Sequence, residues 1–225
     1  MFERYAIFYT PPPGPLADFG ASWLGWDSVS ARAVAHPQTG ITDVADITAI
    51  PRKYGLHATL KAPFRLASDA GLRSLQDAVV TFCKTNSPVA INDTRLRHAH
   101  GFIALRPCGD TTALRNLAAQ IVRDLDVHRQ PLSQADIARR RKSALTPRQD
   151  RQMLEWGYPF IFDDFHFHLT LTGPLPDAKA AKVIAALAPV LDPIVPRPFV
   201  LDALTLMGQD REGMFHQIQR YALTG

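Results

Sequence analysis

The sequence has little cysteine and lacks a long apolar run. It contains two cysteines, Cys83 and Cys108, with no Cys-x-x-Cys spacing, so neither a disulfide framework nor a cysteine-based zinc site is expected. The longest apolar stretch that suits a helix, residues 183–191, is far shorter than the ~20 residues that cross a bilayer. We therefore expect no transmembrane segment and no membrane partner.

The first ten residues also lack the apolar core of a signal peptide. They carry Glu3 and Arg4 and run into Pro11–Pro13, which leaves no room for the usual stretch of about 7 to 15 apolar residues. Together with the scarcity of cysteine, this predicts a cytoplasmic protein.

Charge of neither sign dominates. The chain is 46% hydrophobic and 20% charged, as is ordinary for a globular protein, and its net charge of +4 is spread over 225 residues. This small excess favours anionic partners only weakly. It is compatible with small phosphates and does not indicate a long nucleic-acid duplex.

Hydrophobic periodicity predicts a mixture of strands and helices. Strands are expected at residues 4–9, 54–60, 89–96, 102–105, 165–171, 199–206 and 215–222. Helices are expected at residues 16–23, 72–84, 111–128 and 177–191, with two more beginning at Ser133 and at Thr146-Pro147, the last ending at Gly157. Residues 26–51 are interpreted as a loop with one helical turn near Ile47.

Two stretches of the chain repeat. HATLKAP at residues 57–63 matches HLTLTGP at residues 168–174, and each is followed by an amphipathic helix and then by strands. Each is also preceded by a strand and a helix. The sequence therefore predicts a single domain over residues 1–225, built from two similar lobes, with a shared groove as the natural place for a site.

The two His-x-Thr units are improbable as coincidence. With eight histidines and fifteen threonines among 225 residues, about 0.5 such matches are expected by chance. The number falls to about 0.1 when the residue between His and Thr and the residue after Thr must both be apolar. Two are present, at residues 57–60 and 168–171, and both have proline six positions after the histidine. This pattern indicates a specific use rather than two structural histidines.

Strand geometry places the polar side chains of each motif together. Alternate residues of a strand share a face, so His57, Thr59 and Lys61 are expected to point one way. On the other strand, His168 and Thr170 should share a face. Bringing the strands together would surround one cavity with two imidazoles and two hydroxyls.

This constellation suits a phosphodiester. A neutral imidazole takes a proton from water while an imidazolium donates one to the leaving oxygen, and hydroxyls hold the non-bridging oxygens. Lys61 and Tyr54 are further candidates for substrate binding. Metal ligands on one strand can have the spacing His-x-His, which occurs at His166-x-His168 and His98-x-His100. No cysteine, acidic cluster or helical His-Glu motif accompanies them, so no metal or cofactor is expected.

The motifs HATL and HLTL resemble those of the two-histidine (2H) phosphoesterase superfamily, which includes RNA 2′,3′-cyclic phosphodiesterases. The segments RYAIFYTPPPG, RKYGLHATLKAPFRL, LTPRQ, WGYP and FHFHLTLTGPL resemble its DUF1045 branch of phosphonate-metabolism proteins. The resemblance implies a duplicated α+β fold with two antiparallel-rich sheets facing a central groove and helices outside. It also implies metal-free catalysis by His57 and His168, with phosphate contacts from Thr59 and Thr170. One departure is His166, where the branch usually has arginine.

The sequence thus predicts a monomeric, metal-independent hydrolase of a cyclic phosphodiester on a sugar or nucleotide, of the 2′,3′-cyclic or ribose 1,2-cyclic type. A bell-shaped pH profile is expected. Two alternatives stay open, namely a non-catalytic phosphate- or nucleotide-binding module and an enzyme that processes RNA ends. In the second, the basic run at residues 139–142 would contact RNA, although a solvated helical face is the preferred interpretation of that run.

Overall fold

Alternating strands and amphipathic helices fill the chain, of which the computed structural model describes residues 2–225. The first half contains β1 Arg4–Tyr9, α1 Pro15–Leu24, β2 Trp26–Asp27, β3 Arg32–Ala33, α2 Val44–Ile47, α3 Ala49–Arg52, β4 Ala58–Phe64, α4 Leu72–Thr85, β5 Val89–Ile91, β6 Asp93–Ala99 and β7 Phe102–Cys108. The second half contains α5 Thr112–Asp124, α6 Gln134–Arg140, α7 Pro147–Trp156, β8 Leu169–Thr170, α8 Asp177–Leu191, β9 Phe199–Leu201, β10 Ala203–Gln209 and β11 Phe215–Ala222.

Two antiparallel sheets each place one motif strand at an edge. The first sheet has the order β11-β10-β1-β4, and the second has the order β6-β7-β8. In each sheet the motif strand, β4 or β8, pairs with the strand that opens its own half, β1 or β7. A two-stranded antiparallel ladder between β5 and β9 joins the halves. The expected α+β class with antiparallel sheets is confirmed.

A single large apolar core holds both halves together. It includes Ile7 and Leu60 from the first sheet, Leu105 and Leu169 from the second, and the inner faces of the helices. A smaller cluster of Ala6, Phe8, Met207 and Phe215 lies on the opposite face of the first sheet. Because successive residues of β1 alternate between these two clusters, one face of this sheet contacts the core and the other is available to the groove.

Capping residues define the ends of α7, as the sequence indicates. The Thr146 side chain accepts the N–H of Gln149, the Gln149 side chain caps Thr146 in return, and Pro147 occupies the first turn. Gly157 ends the helix with φ 81°, in the left-handed region that favours glycine. A Cβ there would also lie 2.9 Å from the Arg129 side chain. The helix end thereby positions Tyr158, the next residue.

Several expected boundaries are wrong. The strand expected at residues 165–171 is reduced to Leu169–Thr170. At its carboxyl end, Leu171 and Thr172 both donate their N–H to the carbonyl of Ile103, which ends the regular ladder. The segment 199–206 divides into β9 and β10, and the loop 26–51 contains two short strands and two short helices.

The helix expected at 111–128 ends at Asp124, with a short 3-10 helix following at Asp126–His128. Within residues 2–225, no helix combines the length and apolar character needed to span a bilayer.

Candidate active site

A cavity of about 640 Å³ brings the two motifs together. His57 and Thr59 reach it from the first sheet, and His168 and Thr170 reach it from the second. Tyr54 lines the same cavity, so five of the six side chains that the sequence suggested for the site line one cavity. Ile50 and Pro51, from the long segment before the first motif, also line it.

Both imidazoles are anchored by the same local hydrogen bond. His57 Nδ1 lies 2.9 Å from the carbonyl oxygen of Gly55, and His168 Nδ1 lies 2.7 Å from that of His166. Because a carbonyl oxygen only accepts, each Nδ1 carries the proton and donates it to the residue two positions earlier. A neutral ring in this tautomer leaves Nε2 as its basic atom. The duplicated motif therefore fixes two rings in the same way.

Aromatic rings complete this arrangement. The His57 ring packs against Phe8 of the adjacent strand β1 at a centroid distance of 4.1 Å, and the His168 ring packs against Phe102 of the adjacent strand β7 at 5.4 Å. Tyr54 stacks on His57 at 5.2 Å with its ring nearly parallel. Since these contacts restrict ring rotation, they preorganise the imidazoles.

Burial holds both histidines in the neutral form. The pKa of His57 is lowered to about 4, chiefly by burial and to a smaller extent by the nearby His168 ring, while the hydrogen bond to Gly55 opposes the shift. Burial also lowers the pKa of His168, with smaller contributions from Arg106, His166 and His100. An anionic phosphodiester between the rings would act in the opposite direction and favour protonation of one of them.

Thr59 and Thr170 provide the hydroxyl groups of the site. The Thr59 hydroxyl lies 3.3 Å from His57 Nε2, which shows that the two groups face the same space. Both threonines are half-buried, and both line the cavity.

Lys61 does not lie with the other site residues, and the expectation that it shares a face with His57 is wrong. Opposite β4, Phe8 pairs with Thr59 and Ile7 pairs with Lys61, so one step along β1 spans two steps along β4. This β-bulge turns Lys61 to the opposite face. There its ammonium is buried, donating to Asp126 at 2.8 Å and to the carbonyl of Val122 at 3.1 Å.

Five arginines that were not among the expected site residues also line the cavity. Arg211 is one of them, and the other four are Arg4, Arg65, Arg139 and Arg140. Arg139 and Arg140 belong to the basic run at residues 139–142, whose first two side chains face the cavity rather than solvent alone. Arg141 instead pairs with Asp150 on the exposed surface. No local spacing unites these four residues, and only the run at 139–142 gave a signal.

A second cavity, of about 380 Å³, adjoins the site on the side of His168. His166 and His100 line it, with ring centroids 6.3 Å apart, as do Phe102 and Arg106. His166, where the resembling branch usually has arginine, is thus outside the larger cavity. Among residues 2–225, no group of three or more His, Cys, Asp or Glu side chains is arranged to hold a metal ion.

Acid should destabilise the folded protein through His57. Its pKa is lowered from 6.5 to about 4, so the unfolded chain binds the additional proton over this interval, and stability falls as pH falls. Between pH 7 and pH 4 this contributes a loss of about 3 kcal/mol in the free energy of unfolding. Urea unfolding at pH 7 and pH 4 measures this loss in the free energy of unfolding. In His57→Asn, the loss between the two pH values should be smaller by about 3 kcal/mol than in wild type. An equal loss in both proteins would contradict the assignment.

Comparison with known families agrees with the sequence motifs. The family model described as "Protein of unknown function (DUF1045)" matches residues 59–216. This match confirms the resemblance drawn from the motifs.

Curated relatives and a solved structure are also similar to the chain. Proteins named "Ribose 1,5-bisphosphate phosphokinase PhnN" are 33% identical over 99% of the chain in Janthinobacterium sp. (strain Marseille) and 31% identical over 96% in Laribacter hongkongensis (strain HLHK9). The alignment covers 51% of each relative, so the chain spans about half their length. The structure of E. coli LigT complexed with 3'-AMP is 14% identical over 100% of both chains, with a TM-score of 0.42.

Proposed function

The chain belongs to the DUF1045 family, and from the geometry of its cavity we propose that it hydrolyses a cyclic phosphodiester on a sugar or nucleotide. The observation that carries the proposal is the matched anchoring of His57 and His168, each through Nδ1 to a carbonyl two residues earlier. Two basic nitrogens thus belong to one cavity, which two threonine hydroxyls also line. A site that only binds phosphate has no need for two such imidazoles.

The proposed reaction is a displacement at phosphorus. One imidazole takes a proton from water through Nε2 as the water oxygen forms its bond to phosphorus. The opposite imidazolium donates its Nε2 proton to the leaving oxygen as the ester bond breaks, which gives a phosphomonoester and a free hydroxyl. Thr59 and Thr170 donate hydrogen bonds to the non-bridging oxygens, where negative charge develops. We assign the base to His57, because its deeper burial favours the neutral ring.

The names of the curated relatives support a sugar phosphate as substrate. They refer to a phosphorylated ribose, and opening a ribose 1,2-cyclic phosphate ester gives a compound of that class. The kinase activity in those names is stated for proteins about twice as long as this chain. A ribose 1,2-cyclic phosphate ester is therefore the first substrate to test, with a role in phosphonate metabolism as its context.

Release of phosphomonoester in the presence of EDTA tests this proposal. We expect turnover of at least one member of a panel of ribose 1,2-cyclic phosphate esters, 2′,3′-cyclic nucleotides and short RNAs ending in a cyclic phosphate. The rate should be the same with and without the chelator, because the proposed proton transfers use only histidines. Activity lost in EDTA and restored by a divalent metal would replace this mechanism with a metal-dependent one.

A binding module gives a different result in the same assay. It would bind the cyclic phosphates in a calorimetric titration and release no product from any of them. That outcome would refute the hydrolase and favour the non-catalytic alternative. As an internal control, wild type and His57→Ala are compared at equal concentration after both have been shown to unfold at similar temperatures.

A further inference from the structure

Four arginines lie where the site cavity adjoins a smaller cavity of about 310 Å³. We call Arg4, Arg65, Arg139 and Arg140 the arginine cluster, and all four line both cavities. Arg4 begins β1, Arg65 directly follows β4, and the other two end α6. The cluster therefore combines three separate parts of the chain next to the proposed catalytic residues.

The charge of the cluster is only partly neutralised. Asp136 accepts from Arg139 at 2.6 Å and from Arg65 at 3.3 Å, while Arg4 Nε donates to the neutral amide of Gln209. Among residues 2–225, Asp136 is the one acidic residue that lines the smaller cavity.

Other charged residues line these walls as well. In the smaller cavity, Lys61 and Arg129 are paired with Asp126. In the larger one, Glu3, Asp210 and Arg211 are present, and Asp210 is paired with His216. The junction of the two cavities consequently has an excess of positive charge.

Arg140 is the member of the cluster with an unmet hydrogen bond. Its Nε is buried and has no hydrogen-bond partner within residues 2–225, and its guanidinium lies over the Tyr158 ring at 5.5 Å from the centroid. Burial lowers the pKa of both Arg140 and Arg4, and neighbouring arginines lower it further. Holding these charges therefore costs free energy, which a bound anion would offset.

We propose that the arginine cluster is a second anion site, which binds a phosphomonoester of the substrate that the reaction leaves intact. The inference rests on the proposed function, because His57 and His168 line the same larger cavity and one small molecule would span both sites. A guanidinium group is planar and can donate two parallel N–H hydrogen bonds to two oxygens of one phosphate. The substrate class is thus a cyclic phosphodiester that carries a separate phosphomonoester on the same sugar or nucleotide.

The geometry favours a small phosphorylated molecule over an RNA chain. A cavity of about 310 Å³ is at the lower end of the size range of small-molecule sites. Two of the arginines that follow the cluster are paired with acids, Arg141 with Asp150 and Arg148 with Asp164, and neither lines the two cavities.

A matched pair of substrates tests the inference, namely ribose 1,2-cyclic phosphate with and without a 5-phosphate. We expect wild type to prefer the 5-phosphorylated compound, and Arg140→Gln to lower kcat/KM for that compound about 10- to 100-fold. The unphosphorylated compound should react equally well with both proteins. Arg140→Lys should lower kcat/KM for the 5-phosphorylated compound less than Arg140→Gln does. Arg141→Gln is the control, because the Arg141 guanidinium is paired with Asp150 outside the cavity.

Each outcome has a defined meaning. Equal losses for both substrates, or no preference for the 5-phosphate in wild type, would overturn the second anion site while leaving the proposed function intact. A loss confined to RNA ending in a cyclic phosphate would overturn it in favour of RNA binding.

If neither ribose compound is turned over, the rest of the panel decides the proposed function, and calorimetric binding of ribose 5-phosphate becomes the test of the anion site. Weaker binding to Arg140→Gln than to wild type and Arg141→Gln would then support the anion site. Equal binding by all three proteins would overturn it.

Discussion

Replacing His57 with alanine should lower kcat by about 10²- to 10⁴-fold, and His168→Ala should have an effect of similar size. Each ring supplies one of two proton transfers in the proposed reaction, and neither has a neighbouring substitute at the same position. Single-turnover assays with the preferred cyclic phosphate measure the loss, because they separate the chemical step from product release.

The double variant sharpens this prediction. If the two rings act as one unit, removing both should cost little more than removing either one, because the surviving ring cannot complete the reaction alone. Losses that multiply would instead show two independent contributions and contradict the paired acid–base mechanism. His98→Ala is the matched control, since its ring pairs with Asp177 at 3.2 Å and lies outside the cavity wall.

The sequence predicted this pair correctly as neighbours of one cavity, for a physical reason. Strand alternation is local, and residues 165–171 alternate between buried and more exposed positions even though only Leu169–Thr170 form a regular strand. A duplicated motif adds a second constraint, because equivalent strands in similar lobes occupy equivalent places. These two facts suffice to predict that His57 and His168 lie at one cavity.

The prediction that Lys61 shares a strand face with His57 was wrong, because the alternation of apolar and polar residues does not reveal a β-bulge. The sequence ATLKAPF contains no break in its pattern at the point where the register with β1 shifts. The anchoring of each imidazole to a carbonyl was equally hidden, since it depends on backbone dihedral angles just before the strand. The arginine cluster was missed because Arg4, Arg65 and Arg140 are far apart in sequence, and only the assembled fold makes them neighbours.

Thr59→Val and Thr170→Val should each lower kcat by about 10²- to 10³-fold while changing KM much less. A hydroxyl aimed at a non-bridging oxygen gains strength as negative charge develops, so its removal affects the transition state more than the bound substrate. Valine keeps the shape of threonine, and Thr59→Ser keeps the hydroxyl and should retain most of the activity. Steady-state kinetics in EDTA measures kcat and KM of each variant. Thr81→Val is the control, because Thr81 is exposed.

The threonine and arginine variants together separate the two phosphate sites. Threonine variants should lose kcat on both the phosphorylated and the unphosphorylated ribose 1,2-cyclic phosphate, because both contain the reacting phosphodiester. Arg140→Gln should distinguish between those compounds, because only one of them carries the second phosphate. If Thr170→Val raised KM and left kcat unchanged, its hydroxyl would bind the ground state and the transition state equally. The stabilisation of the developing charge would then have to come from other groups that line the cavity.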